Sequence, residues 1–194
     1  MRFAVLIALA ACLGACGREP LAPASPQQQA PVDANALTAD GWGPLRIGMT
    51  RDEVTAALGP DANPGAVGGP DPDSCDLYRP ERAPDGMLVM VENGMLTRIT
   101  LMRQSEIKTD RGFGLGDAAA AIKAAYGAEA VVAPHRYQDP PAEYITAWRN
   151  LRPAADEYVQ DQNARGVAFE INGEGVVAFI HAGGPSIQYV EGCS

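Results

Sequence analysis

The 194-residue chain has little of what hydrolytic or redox catalysis usually requires. It contains only two histidines, His135 and His181, and no Gly-x-Ser-x-Gly nucleophile motif. No Cys-x-x-Cys spacing occurs, which argues against a redox pair. Acidic residues outnumber basic ones, 24 against 15, so the net charge of −9 disfavours a nucleic-acid partner. We therefore expect no enzyme, no cofactor and no metal site.

A long hydrophobic run is also missing. The apolar stretch at residues 3–11 is far shorter than the ~20 residues that a membrane-spanning helix needs. It follows Arg2 and precedes the sequence Leu-Gly-Ala-Cys at residues 13–16, which is the layout of a lipoprotein signal peptide. Residues 1–15 are predicted to be removed and Cys16 to be acylated, with palmitate-type chains. Ordinary secretion with cleavage after Ala15 is the alternative.

The residue after the cysteine bears on location. Residue 17 is glycine and not aspartate. By resemblance to the lipoproteins of diderm bacteria, this implies that the protein is transferred to the outer membrane, where it faces the periplasm. Exposure at the cell surface is the alternative orientation. The membrane is thus an expected partner through the lipid anchor. Residues 16–40 are rich in proline, alanine and glutamine, and we predict a disordered tether there.

Two cysteines remain beyond the anchor. Cys75 and Cys193 form an even pair in an oxidising compartment, which favours a disulfide bond between them. Two separate reduced thiols are the alternative.

The rest of the chain contains an internal repeat, at residues 47–59 and 115–127. Each copy contains two glycines spaced eleven apart and has apolar residues at helical spacing. In the first copy Thr50 is the predicted N-cap, and Glu53 three residues later completes a capping box. In the second copy Asp117 is predicted to cap the helix alone.

Strand patterns follow each predicted helix. An Asn-Gly pair at residues 93–94 separates two apolar runs, which is the strongest short-range sign of a hairpin. Glycines at residues 172–175 mark a similar turn in the second copy. The expected fold class is α+β, with two tandem units that each contain a helix and a three-stranded antiparallel meander. The units are expected at residues 41–105 and 106–194.

The segment at residues 43–59 carries a family resemblance. It begins with Gly-Pro-Leu-Arg-Ile-Gly-Met-Thr and ends with Leu-Gly. This segment resembles the opening of the SmpA/OmlA (BamE-like) outer-membrane lipoprotein domain. Two such units in tandem also resemble the architecture of β-lactamase-inhibitor protein, and the tail at residues 189–193 is similar to that of a group of proteobacterial lipoproteins. The resemblance implies a helix-on-sheet fold and a non-enzymatic, protein-binding role.

Three aromatic residues are candidates for a ligand surface: Trp42, Tyr144 and Trp148. Packing in the core or on a sheet is the alternative. We expect a membrane-anchored envelope lipoprotein that binds an envelope protein or scaffolds envelope assembly. Two other functions stay open. One is a glycan or small-ligand binding module that uses sheet-face aromatics, and the other is an envelope hydrolase with His135 or His181 beside an acid.

Overall fold

The structure is a computed structural model that describes residues 33–66 and 68–193. The predicted signal peptide, the predicted acylation site at Cys16 and most of the predicted tether lie outside the described residues, so these features stay predictions. Within the described part of the chain, no helix is both long and apolar enough to span a membrane.

Strands dominate the fold. A short hairpin of β1 (Gly41–Trp42) and β2 (Leu45–Arg46) comes first. A single seven-stranded antiparallel sheet follows, in the spatial order β3-β4-β5-β9-β8-β7-β6. Its strands are β3 (Cys75–Tyr78), β4 (Met87–Glu92), β5 (Met95–Leu101), β6 (Ala130–Pro134), β7 (Glu143–Trp148), β8 (Gly166–Ile171) and β9 (Val177–Gly183).

Helix α1 (Arg51–Leu58) begins at the predicted capping box. The Glu53 backbone N–H donates to Thr50 Oγ1 at 3.2 Å, and the Thr50 N–H donates to Glu53 Oε2 at 2.8 Å. These two bonds satisfy donors that the first helical turn leaves without partners. Val54 and Leu58 are buried, which fixes the face that the helix turns to the sheet.

Helix α2 (Ala119–Tyr126) begins differently from the prediction. Its N-cap is Ala118, and no side chain caps it. Asp117 is therefore not a helix cap, because its carboxylate accepts the backbone N–H of Gly114 at 2.8 Å, which closes the turn before the helix. The helix is held by burial of Ile122 and Tyr126 instead.

The main core lies between the two helices and one face of the sheet, which we call the first face. Val89, Ile99, Phe169 and Ile180 point into this core from four different strands and are at most barely exposed. Each such side chain contributes ~1.5–3 kcal/mol of hydrophobic stabilisation when fully buried. Since the contributing strands come from both halves of the chain, the halves share one core.

The expected fold class, α+β with two tandem helix-plus-meander units, is wrong. The structure is β-rich, with one seven-stranded sheet, one small hairpin and, in the described residues, two short α-helices. Strand β5 pairs directly with β9, with Thr100 opposite His181, so the two predicted meanders merge into one sheet. The second half has four strands, because Ala130–Pro134 adds an edge strand, and it ends in a 3₁₀ turn at Pro185–Gln188.

The end of the predicted tether contacts the folded domain. Leu37 is fully buried, and its backbone N–H donates to the carbonyl of Lys108 at 2.9 Å. The N–H of Asp110 donates in turn to the Leu37 carbonyl at 3.0 Å. Residues 33–40 therefore belong structurally to the domain that follows them.

Candidate ligand pocket

The second face of the sheet, opposite the helices, is hollow at its centre. Small residues occupy the central strands there: Gly166 and Ala168 on β8, and Gly183 on β9. A Cβ at Gly183 would lie 2.3 Å from the carbonyl oxygen of Thr97, and one at Gly166 would lie 2.8 Å from the ring of Trp148. Glycine is required at both positions because the Thr97 carbonyl and the Trp148 ring already fill the space beside them. The short side chain of Ala168, by contrast, lines an open space on this face.

Two irregular segments cover the hollow. We call residues 149–165 the covering loop and residues 184–193 the C-terminal strap. A small apolar cluster holds both to the sheet, with Val159 from the loop and Ile187 from the strap packed against Trp148 and Ala168. This second core is separate from the one under the helices.

Arg98, on strand β5 of the sheet, holds the strap through hydrogen bonds. Its guanidinium donates to the carbonyls of Ser186 at 3.0 Å and Tyr189 at 3.1 Å. Burial lowers the pKa of Arg98 to about 10, so the side chain stays charged at neutral pH. Gln188 ties the strap to the loop, because its amide donates to the Val159 carbonyl at 2.9 Å and its side-chain oxygen accepts the Val159 N–H at 3.0 Å.

A disulfide bond fastens the far end of the strap. Cys193 is bonded to Cys75 at the start of edge strand β3, with the two Cα atoms 5.5 Å apart. The predicted pairing of these two cysteines is therefore present in the structure. It ties the end of the chain to the first half of the sheet.

A cavity of about 190 Å³ remains between the second face, the covering loop and the strap. At ~30 Å³ for each water molecule, it has room for roughly six waters. It is lined from the sheet by Val131, Ala133, Tyr144, Thr146, Trp148, Ala168, Glu170 and His181, and from the covering segments by residues 153–158 and 187–190.

Glu170 is the acidic group of the cavity that lies on the sheet, and it stands between two histidines. Its Oε1 lies 3.3 Å from His135 Nε2, and its Oε2 lies 3.9 Å from His181 Nε2. On its other side, His181 Nδ1 is 3.0 Å from the hydroxyl of Thr100 on the neighbouring strand. The side chain of Glu170 is 19% exposed, so it is mostly shielded yet open to the cavity.

The protonation states follow from these contacts. His135 Nδ1 accepts the backbone N–H groups of Tyr137 and Gln138, both at 3.1 Å, so Nε2 carries a proton directed at Glu170. Burial lowers the pKa of His181 to about 4, which makes that ring neutral at pH 7. Burial raises the pKa of Glu170, but its contacts with His181 and His135 outweigh this, and the net shift is downward. Glu170 is therefore an ionised carboxylate at neutral pH.

Two of the three predicted ligand-surface residues line this cavity. Trp148 is only 4% exposed, and its ring also belongs to the second core. Tyr144 is half-buried and stacks on the His135 ring, with centroids 4.8 Å apart and planes 15° apart. Trp42 lies elsewhere, on β1, where its indole N–H donates to the Asn35 carbonyl at 2.8 Å.

Thr100, His181 and Glu170 occur in the order of a nucleophile, a base and an orienting acid. Thr100 is only 3% exposed, however, and it is not among the residues that line the cavity. A substrate in the cavity would therefore not reach its hydroxyl, and the contacts serve to position Glu170. The described residues also contain no group of three or more His, Cys, Asp or Glu side chains placed to hold a metal ion.

Glu170 was not singled out from the sequence, and its signal is weak there. It is one polar residue in an otherwise apolar strand. Of its two histidine partners, His135 is the closer in space, but it lies 35 residues away in the sequence. Along β8, Ala168 and Glu170 alternate with Val167 and Phe169, which belong to the main core. This alternation alone predicts that Glu170 lies on the face away from the core.

No protein-family model, curated protein or solved structure matches this chain. The resemblance to the BamE-like domain at residues 43–59 stays a prediction. Function is therefore inferred from the chemistry of the cavity itself.

Proposed function

We propose that this protein is a lipid-anchored envelope protein that binds a small ligand in the cavity under the C-terminal strap and does not catalyse its conversion. The observation that carries this proposal is the shielded, ionised Glu170 at the wall of a cavity that is lined mostly by aliphatic and aromatic side chains. A few placed polar groups in a mostly apolar concavity are typical of small-molecule sites.

Coverage of the sheet favours a small ligand over a protein partner. The sequence favours binding of an envelope protein, which would use the face of the sheet and the loops at its rim. In the structure α1 and α2 pack on the first face, while the covering loop and the strap close much of the second. A cavity of about 190 Å³ is too small for a folded partner but holds a compact molecule.

The anchor gives the proposed site its location. Acylation of Cys16 would hold the domain at the outer membrane on the predicted tether, within reach of solutes in the periplasm. Two or more acyl chains suffice for stable attachment. The lipid would therefore place the binding domain and take no part in the site.

Native mass spectrometry of the full chain in non-ionic detergent tests the proposal. We expect a bound small molecule, or one captured from an envelope extract, that is lost in an Ala133→Phe variant. Ala133 lies on edge strand β6 and lines the cavity, so the ring fills it from the rim. Ala128→Phe is the matched control, because Ala128 is exposed and outside the cavity. Equal capture by both variants would contradict the proposed site.

A further inference from the structure

Resting on this proposed function, we propose that the ligand is a small organic cation whose ammonium group is held by the Glu170 carboxylate and the aromatic rings around it.

The charge of the cavity carries the first step. Three carboxylates line it, Glu170 on the sheet and Asp156 and Glu157 on the covering loop, and no lysine or arginine does. Arg98 is close in the fold, but its guanidinium donates to the strap carbonyls of Ser186 and Tyr189. A ligand anion would therefore meet like charges, whereas a cation would find a carboxylate without a cationic partner in the cavity.

The neighbours of Glu170 carry the second step. His135 and His181 lie beside it, and the buried His181 ring is uncharged at neutral pH. The carboxylate thus keeps its negative charge, because neither imidazole neutralises it as a lysine or arginine would. A mostly shielded charge in this position is costly unless a partner of opposite sign approaches it.

The aromatic lining carries the third step. Four rings surround the cavity: Tyr144, Trp148, Tyr158 and Tyr189. A cation within about 6 Å of such rings gains from their negative faces. The three tyrosines offer that surface, because Trp148 is only 4% exposed and its ring belongs to the second core.

Pairs of equal-shaped compounds test the role of charge. We would measure the binding of choline against 3,3-dimethylbutan-1-ol, and of n-butylammonium against butan-1-ol, by calorimetry on the full chain in non-ionic detergent. Within each pair the two molecules differ chiefly in the positive charge. We expect each cation to bind at least about tenfold more tightly than its neutral partner.

Two variants locate the effect. Glu170→Gln keeps the shape and removes the charge, and we expect it to weaken cation binding about tenfold while the neutral partners are unaffected. Its control is Glu174→Gln, in the exposed turn between β8 and β9. Tyr158→Leu, at a half-exposed loop position, serves if Glu170→Gln does not fold, with the exposed Tyr137→Leu, outside the cavity, as its control. Of these two tyrosine variants, we expect only Tyr158→Leu to weaken cation binding.

The outcomes separate the two proposals. Equal affinity for the cation and its neutral partner, both abolished by Ala133→Phe, would overturn the cation assignment and keep the ligand site. Cation binding that neither Glu170→Gln nor Tyr158→Leu weakens would also overturn it. Failure of every compound to bind, together with the absence of any captured molecule by mass spectrometry, would overturn the ligand site itself.

Discussion

The disulfide bond makes the sharpest prediction about stability. Cys75 and Cys193 are 118 residues apart in the sequence, so their bond closes most of the described chain into a loop. In the loop-entropy relation, closure of a loop of this length destabilises the unfolded chain by about 5 kcal/mol. Domains of this size unfold with a free energy of only ~5–15 kcal/mol, so the bond is a large part of the total.

We expect the double variant Cys75→Ala/Cys193→Ala to lose about 4–5 kcal/mol of unfolding free energy. At a urea dependence of roughly 2 kcal/mol per molar, the midpoint of unfolding would fall by about 2 M. Circular dichroism during urea titration measures both quantities. The control is the wild-type chain after chemical reduction, which should unfold at the same urea concentration as the variant.

A loss below about 1 kcal/mol would refute this reasoning. It would mean that the unfolded chain gains little freedom when the bond is absent. A large loss in the variant with no loss in the reduced wild type would also count against it, because the alanines themselves would then be responsible.

Substitutions at four single residues test other parts of the protein. Thr50→Ala should lower the unfolding free energy by about 1 kcal/mol in the same titration, because it removes the side-chain acceptor of the α1 capping box, whereas Ala118→Ser should raise it slightly by supplying the cap that α2 lacks. His181 has a pKa of about 4 in the fold, lowered by burial from 6.5, so the unfolded chain binds more protons between these values. Stability should therefore be full above about pH 6.5 and decline toward pH 4, and His181→Gln should flatten that decline. Cys16→Ser should leave the circular dichroism spectrum unchanged and abolish metabolic labelling with palmitate; a labelled variant would contradict the lipoprotein assignment.

Local patterns in the sequence predicted two local structures correctly and failed at Asp117, which does not cap α2. The capping box of Thr50 and Glu53 lies within one helical turn, and the Asn-Gly turn at residues 93–94 is decided by its own backbone preferences. Asn93 and Gly94 both adopt positive φ, 49° and 80°, as that turn requires. Each of these features depends on neighbours in the chain, which periodicity and composition can reveal.

Pairings between distant segments could not be predicted in the same way. The contact of β5 with β9 joins Thr100 to His181, and it alone turns two expected meanders into one sheet. Edge strand β6 was missed because it is short and half-exposed, without clean alternation. The cavity depends on such pairings too, since β7, β8 and β9 must be adjacent before Tyr144, Glu170 and His181 share one wall.

The strap is held at two places, and we expect one to matter mainly for stability and the other for ligand binding. This yields a last prediction. Residues 187–190 form the cavity wall, and Arg98 and Gln188 hold this part of the strap directly. The disulfide at Cys193 lies beyond the wall. Loss of the disulfide should therefore cost much stability and little affinity for a cavity ligand.

Substitution of Arg98 should lower the affinity for a cavity ligand more than loss of the disulfide does. A single guanidinium nitrogen of Arg98, Nη1, donates to both strap carbonyls, those of Ser186 and Tyr189. Arg98→Lys keeps the charge, but the lysine side chain ends one bond short of the position of Nη1, so both hydrogen bonds should weaken. With the wall loosened, we expect n-butylammonium to bind more weakly to this variant than to Cys75→Ala/Cys193→Ala, by about tenfold. The reverse ranking in calorimetry would show that the covalent bond, and not the buried arginine, shapes the cavity.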